Sequence, residues 1–485
     1  MSVLDSFNLD SRQCFINGSW VDSASGDTLT LQNPSTGQSL ADIAKGCPAD
    51  IDAAVAAAQL SLRGPWGGST ALERGRVLQK LSALVLDHIE ELAHLEALDV
   101  GKPLTQARND AIALARYCEF YAGAADKVHG STLPYLEGYT VYTLREPHGV
   151  TAHIVPWNYP MQIIGRSIGA ALAMGNATIL KPAEEACLTA LAFAELAHRA
   201  GLPAGALNVV PGLGAEVGHY LSAHPEVHHV SFTGSVEAGK SVQQAAATHV
   251  APVTLELGGK SAQIVFDDAN LRDALPFLLN SGIQNAGQTC SAASRILVQE
   301  SVHEQVVSEL ASRIASLTVG PALDDPSVGP LISAKQKQRV EQFLAEGDDL
   351  TQVASGELLP QALASGHFVL PTCFDSVPST HTLAQEEIFG PVLLVIPFSD
   401  EDEAIAIANG TRYGLVASVW TGEGSRQMRM AKSLRAGQVF INNYGAGGGV
   451  ELPFGGVGES GHGREKGFEA LYGFSTLKTV AAKHG

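Results

Sequence analysis

The sequence is short of positive charge. Thirty-one Lys and Arg stand against 50 Asp and Glu, leaving a formal net charge of −19. Such a chain gains little from a phosphate backbone, so no nucleic-acid partner is expected and the charge reads as solubility. Cysteine is sparse too. Cys14, Cys47, Cys118, Cys187, Cys290 and Cys373 include no CxxC pair, so neither a zinc site nor a disulfide framework is indicated, and no metal is expected. That usage fits a reducing cytoplasm. Residues 1–6 carry an acid and no basic-then-apolar pattern, so they do not read as a signal peptide. No apolar run is long enough to span a bilayer, and no membrane association is expected. Repeats and low-complexity stretches are missing as well, and the glycine segment at 232–239 is not the usual GxGxxG dinucleotide fingerprint.

What is present is ample apolar material, 45% of 485 residues, and a length that exceeds one ordinary core, so two or more domains are expected. Apolar residues at helical spacing, from Val77 to Leu95, predict one helix over 70–98, ended by Gly101 and Pro103. From 139 the pattern alternates. Strands are predicted at 139–144, 150–155, 178–180, 206–210 and 228–232. Helices are predicted at 162–174, 188–200 and about 215–222. This alternation predicts an α/β fold with a mainly parallel sheet, which binds ligands beyond the carboxyl ends of its strands. A second alternating region runs from about 262 to 443, with its clearest strands at 262–266, 294–299, 392–397 and 439–442. Residues 139–144 and 474–482 read as edge strands, expected to serve as subunit contacts.

Four segments have chemical potential. At Phe232-Thr233-Gly234-Ser235 a strand runs into a glycine and an expected helix start, whose free N–H groups suit a pyrophosphate. Glu184 in Lys181-Pro182-Ala183-Glu184 is an acid placed to accept from an adenosine ribose, with Lys181 sharing the contact. In Glu256-Leu257-Gly258-Gly259-Lys260 a carboxylate sits beside two glycines that allow close approach. Cys290 lies among small and polar residues in Asn285-Ala286-Gly287-Gln288-Thr289-Cys290-Ser291-Ala292. Taken singly, each has a plainer reading: a glycine-bounded turn, a solvated ion pair, a turn after a strand, a packing cysteine.

Together with Pro156-Trp157-Asn158-Tyr159-Pro160, Glu386-Glu387-Ile388-Phe389-Gly390-Pro391-Val392 and Pro453-Phe454-Gly455-Gly456, these segments resemble the aldehyde dehydrogenase superfamily. The likeness covers nearly the whole chain, in the family's order and approximate spacing. It implies a Rossmann-type cofactor domain over 1–124 and 147–257 and an α/β catalytic domain over 258–457. A small β oligomerisation element is implied over 125–146 and 458–485, with a homodimer or homotetramer as the assembly. The implied activity is NAD-dependent oxidation of a small-molecule aldehyde to a carboxylic acid through a thiohemiacetal and then a thioester on Cys290.

Residue by residue, the resemblance makes Cys290 the nucleophile, Asn158 and the Cys290 N–H the oxyanion donors, Glu256 the base that activates water, and Glu465 a proton relay. It assigns NAD contacts to Ile154, Pro156, Trp157, Lys181, Glu184, Gly214, Phe232, Gly234, Ser235, Leu257, Glu387 and Phe389. The substrate is expected to meet Tyr159, Gln162, Arg166, Gln284, Thr289, Ser291, Tyr444 and Phe454. Tyr472 is a further aromatic expected in the channel. The small residues Gly445, Ala446, Gly447, Gly448 and Gly449 suggest room for a bulky or aromatic aldehyde. One departure stands out: Ser167 occupies a position where many members carry a relay lysine. Two alternatives accompany this reading. One is a semialdehyde dehydrogenase whose acidic substrate is gripped by Arg166, although a second arginine of such relatives is Gln284 here. The other is a silent structural member of the fold, against which Cys290, Glu256 and Asn158 all stand.

Overall fold

The computed structural model describes residues 7, 9–445 and 449–484; residues 1–6 and Ala446, Gly447 and Gly448 of the small-residue loop lie outside them. The fold is α/β, built on two large sheets, each with its own hydrophobic core. In the first, five parallel strands run in the spatial order Leu207–Val209, Ala177–Pro182, Val150–Val155, His229–Thr233 and Val253–Glu256. Antiparallel strands flank them: Gln13–Ile16 and Ser19–Asp22 at one edge, Gly461–His462 at the other.

Chain order runs outward in both directions from Val150–Val155, so the strand order reverses between it and His229–Thr233. Open parallel sheets bind ligands at such a reversal, beyond the carboxyl ends of the strands. Ile154 pairs with Phe232 there, which brings residues 156–159 alongside Gly234 and Ser235. Helices cover both faces of the central strands, so all six residues of Val150–Val155 are buried, Thr151 and His153 included.

The second sheet places parallel strands in the order Thr372–Asp375, Val392–Phe398, Arg295–Gln299, Ala262–Val265, Val416–Trp420 and Gln438–Ile441, with Thr351–Ser355 antiparallel at one edge. A smaller antiparallel sheet joins Ser475–Lys483, Tyr139–Pro147 and Thr132–Leu133.

Three expectations need correction. The helix expected over 70–98 is two helices, Ala71–Asp87 and Ile89–Asp99, with His88 between them at φ −121°, ψ 25° and its ring bonded back to the Leu84 carbonyl. The apolar spacing runs through the break because both helices pack on Leu104–Ala124. The helix expected near 215–222 opens as a π-turn at Gly214–Gly218 before His219–Ala223. Tyr139–Pro147 is not an edge strand: it is the middle strand of its sheet, paired on both sides. Local composition marks a strand but not which neighbours flank it. Among the described residues no helix is long and apolar enough to cross a membrane.

Candidate active site

Cys290 follows a segment of costly backbone. Asn285 and Ala286 have φ of 50° and 54°, left-handed values that residues with side chains adopt at a cost and that cluster at functional sites. Hydrogen bonds hold them there. Gln106 Oε1 accepts from the Asn285 N–H at 2.9 Å, and Gln288 Nε2 donates to the Asn285 carbonyl at 3.0 Å. Asn285 Nδ2 donates to the Asn158 carbonyl at 2.9 Å, and Asn158 Nδ2 donates to the Gln288 carbonyl at 2.9 Å. The turn after Val150–Val155 and the turn before Cys290 are thereby locked together. A primary amide carries two N–H bonds, so one on Asn158 remains beyond that lock.

Cys290 lies between two cavities. One, of about 300 Å³, is lined by Tyr159, Gln162, Arg166, Gln284, Thr289, Ser291, Tyr444 and Phe454. The other, of about 530 Å³, is lined by Pro156, Trp157, Gly234, Ser235, Glu256, Glu387 and Phe389. Among the described residues, only Asn158, Thr233 and Cys290 line both. The helix Pro160–Ala173 starts just after Tyr159 and presents Gln162, Ile163 and Arg166 to the smaller cavity from one face, since they follow Tyr159 at i+3, i+4 and i+7. Tyr159 is fixed by a 2.9 Å hydrogen bond between its hydroxyl and Thr289 Oγ1, and Tyr444 donates its hydroxyl to the Ser291 carbonyl. Tyr472 is absent from this lining; it is partly exposed, with the Arg145 guanidinium 4.8 Å from its ring centre.

The electrostatics are those of a dry site. Glu256 is 1% exposed, and neither carboxylate oxygen has a hydrogen-bond partner. Burial, reinforced by the nearby Glu465, holds its pKa well above the usual carboxylate range, against the pull of Arg166, Arg464 and Lys466. Gly455 leaves room for it: a Cβ there would stand 2.8 Å from Glu256 Oε1. Burial likewise pushes the Cys290 thiol up to about 11, opposed by the Arg166 guanidinium. Glu465 is ion-paired to Arg166 Nε and accepts from Ser231 Oγ at 2.8 Å. Arg166 also donates to Thr233 Oγ1 at 3.3 Å. Ser167 turns its hydroxyl back to the Ile163 carbonyl, so the cation beside Glu465 comes from Arg166 instead.

The larger cavity has features that fit a dinucleotide. Ser235 caps the helix Val236–Ala247, accepting from the Ala238 N–H at 3.2 Å, and leaves that helix start facing the cavity. A Cβ on Gly234 would lie 2.6 Å from the Phe232 ring, and one on Gly258 would run into the Glu387 carboxylate. Glu387 Oε1 accepts from the Gly259 N–H at 3.0 Å, and the Trp157 and Phe389 rings meet edge-on with centroids 5.4 Å apart.

Six residues with expected cofactor contacts fall outside this lining. Lys181 and Glu184 form a 2.7 Å ion pair, to which the Gly214 N–H adds a 3.4 Å bond, and Gly218 lies between this group and Ile154. Burial raises the Glu184 carboxyl, but Lys181 outweighs it and the net shift is downward. Phe232 packs on Gly234, and Leu257 packs on Gly239.

Sequence reasoning missed two groups. Gly101 and Pro103 read as helix punctuation, yet Lys102 between them is fully buried. It is ion-paired to Glu96 at 2.7 Å and to Asp110, with its ammonium 3.9 Å from the Tyr159 ring centre. Asp110 in turn accepts from Gln162 Nε2 at 2.6 Å. Lys466, which lines the smaller cavity, is the other. Its only signal was its place next to Glu465.

A model of the aldehyde dehydrogenase family matches residues 20–480. A hydroxyisobutyraldehyde dehydrogenase of Mycolicibacterium austroafricanum is 42% identical over 472 residues, covering 96% of this chain and 92% of that protein. The solved structure of a Bacillus cereus aldehyde dehydrogenase in complex with NAD+ superposes with a TM-score of 0.96 at 40% identity, covering 100% of this chain and 99% of that one. A Burkholderia cenocepacia crystal structure, provisionally named an aldehyde dehydrogenase, gives 0.97 at 62% identity over 98% of this chain and 100% of its own.

Proposed function

This chain belongs to the aldehyde dehydrogenase family, and from that premise we propose that it oxidises an aldehyde to a carboxylic acid with NAD, through a thioester on Cys290. The observation that carries this reading is the placement of Cys290 and Asn158 on the walls of both cavities. A substrate held in the smaller one and a cofactor held in the larger one meet at the thiol.

The thiolate, not the thiol, attacks the aldehyde carbon. The resulting oxyanion is received by the second Asn158 N–H and the Cys290 backbone N–H. Preorganised donors of this kind contribute about 3–4 kcal/mol each. NAD, when bound, supplies the hydride acceptor that turns the thiohemiacetal into a thioester. Glu387 and Phe389 are assigned to the nicotinamide ribose, the start of Val236–Ala247 to the pyrophosphate, and Lys181 and Glu184 to the adenosine ribose. Glu256 then takes a proton from water, which hydrolyses the thioester. Its buried carboxylate is a strong base once ionised. Glu465, held by Arg166 and Ser231, lies close enough to raise Glu256 and serves as the next proton acceptor.

The division into a cofactor domain, 1–124 and 147–257, a catalytic domain, 258–457, and an oligomerisation element, 125–146 and 458–485, belongs to the same proposal, as do a cytoplasmic location and a homodimeric or homotetrameric assembly. The competing reading of Arg166 as a carboxylate clamp loses support, because Glu465 and Thr233 already engage its guanidinium. The deciding experiment mixes the protein with NAD and a panel of aldehydes and follows NADH absorbance. Turnover that disappears in Cys290→Ala supports the mechanism; no turnover with any aldehyde points to a silent member of the fold.

A further inference from the structure

Among the described residues, the wall of the smaller cavity spends most of its hydroxyl groups on the protein itself. Tyr159 and Thr289 bond to each other at 2.9 Å, and Thr289 also reaches the Gln284 carbonyl at 3.4 Å. Tyr444 donates to the Ser291 carbonyl. Ser281 donates to the Leu278 carbonyl at 3.4 Å and accepts from Gln263 Nε2 at 2.6 Å. A substrate oxygen gains little from protons that are already placed. Beyond Asn158, the amides of Gln162, Asn280 and Gln284 also line the cavity. Asn280 and Gln284 are exposed, so water competes for them on nearly equal terms. Gln162 is half-buried, and its orientation is fixed.

What fixes it is a charged pair behind the wall. Gln162 Nε2 donates to Asp110 Oδ1 at 2.6 Å, and Asp110 Oδ2 is ion-paired to the fully buried Lys102. Burial works against that ammonium, but Asp110 and Glu96 outweigh it and hold its pKa above the usual lysine range. A carboxylate paired in this way only accepts hydrogen bonds, so the end of the amide that meets it is Nε2 and not Oε1. Gln162 Oε1, for which the described residues supply no donor, is thereby left as an acceptor on the cavity wall.

We propose that Gln162 is the specificity-determining residue of the aldehyde cavity: its amide oxygen, held in place by Asp110, accepts from a hydroxyl on the substrate, so that hydroxylated aldehydes are preferred. This rests on the smaller cavity being the aldehyde site. With the carbonyl at Cys290 and Asn158, the rest of the substrate lies in the same 300 Å³, which Gln162 lines. An acceptor that is held in place and half shielded from water rewards a ligand that brings its own proton.

The test compares aldehydes carrying a hydroxyl on the second or third carbon with unsubstituted aldehydes of equal length, in wild type and in Gln162→Met. Methionine keeps the length of the side chain and removes the acceptor. In wild type at least one hydroxy aldehyde should exceed its unsubstituted partner in kcat/KM by about fivefold or more, the ratio a neutral hydrogen bond supports. Gln162→Met should lower that ratio by about fivefold, while kcat/KM for the unsubstituted aldehyde changes by less than about threefold. A wild-type measurement guards against misfolding of the variant. A methoxy group in place of the hydroxyl keeps the oxygen and removes the proton, so the methoxy aldehyde should gain nothing over the alkyl aldehyde of the same length. Equal preference for hydroxy and methoxy aldehydes, no preference at either carbon, or a preference that survives unchanged in Gln162→Met would overturn the assignment while aldehyde turnover stands. Absence of turnover with every aldehyde strikes the underlying reading instead, and this inference falls with it.

Discussion

At the scale of single residues the site is governed by desolvation. Cys290 and Glu256 both have their neutral forms favoured by burial. The thiol therefore rests protonated at neutral pH, and its alkylation by iodoacetamide should speed up as pH climbs towards about 11; a plateau already reached near neutrality would contradict that. Cys290→Ala should leave less than about a hundredth of kcat while NAD still binds, since the thiol forms the covalent bond and adds little to cofactor affinity. Glu256→Gln should give a burst of NADH followed by a slow steady state, with an acyl adduct on Cys290 visible by mass spectrometry. The same substitution carries a stability sign. Burial holds the folded-state pKa of Glu256 well above its ordinary value of 4.5, so the native state binds more protons than the unfolded state above that pH, and stability falls as pH rises. The glutamine variant should therefore melt higher than wild type, by a margin that widens from pH about 4.5 upwards. A margin that narrows would show that the carboxylate is stabilised in the fold.

At the scale of elements, close packing places the chemistry. The helix Pro160–Ala173 carries Gln162 and Arg166 and lies against Leu104–Ala124, where Gly165 faces Tyr117. A Cβ on Gly165 would stand 2.9 Å from Tyr117 Cβ. Alanine normally gains about 1 kcal/mol over glycine inside a helix, but overpacking a buried contact costs about 1–3 kcal/mol. Gly165→Ala should thus lower the melting temperature and weaken aldehyde turnover together. At the end of Ala177–Pro182, Glu184 is kept ionised by Lys181. A carboxylate there repels a 2′-phosphate, so NAD should be preferred to NADP, and Glu184→Ala should narrow the ratio of kcat/KM values. Equal use of both cofactors by the unaltered protein would remove this role.

At the scale of the whole molecule, the three-stranded sheet leaves apolar side chains uncovered. Leu133, Tyr135, Leu136, Leu144 and Leu477 are all at least 40% exposed. Leu133 and Leu477 share one face of that sheet, because their partners Val141 and Arg145 lie an even number of residues apart on the middle strand, and exposed apolar side chains grouped on one face mark association sites. The proposed assembly predicts that Leu477→Asp shifts the sedimentation coefficient towards a smaller species without loss of secondary structure. A wild-type protein that sediments as a monomer at micromolar concentration would reject it.

Much of this was legible in the chain itself. Apolar and β-branched runs locate Val150–Val155, Ala177–Pro182 and Val392–Phe398 to within a residue or two, because such strands are buried on both faces and need little context, whereas Thr372–Asp375 and Val416–Trp420 went unread. The motifs around Asn158, Glu256, Cys290 and Glu387 are legible because the chemistry they suit demands particular side chains at short local spacing. Tertiary structure decided what depends on neighbours distant in sequence. Only packing shows that Tyr139–Pro147 is an inner strand, that Arg166 spends its charge on Glu465, and that Lys102 braces Tyr159 from behind. Only folding brings Lys466 onto the same cavity wall as Arg166, 300 residues earlier in the chain. A sequence lists charges one by one, whereas the energy of a buried charge is set by what surrounds it in space.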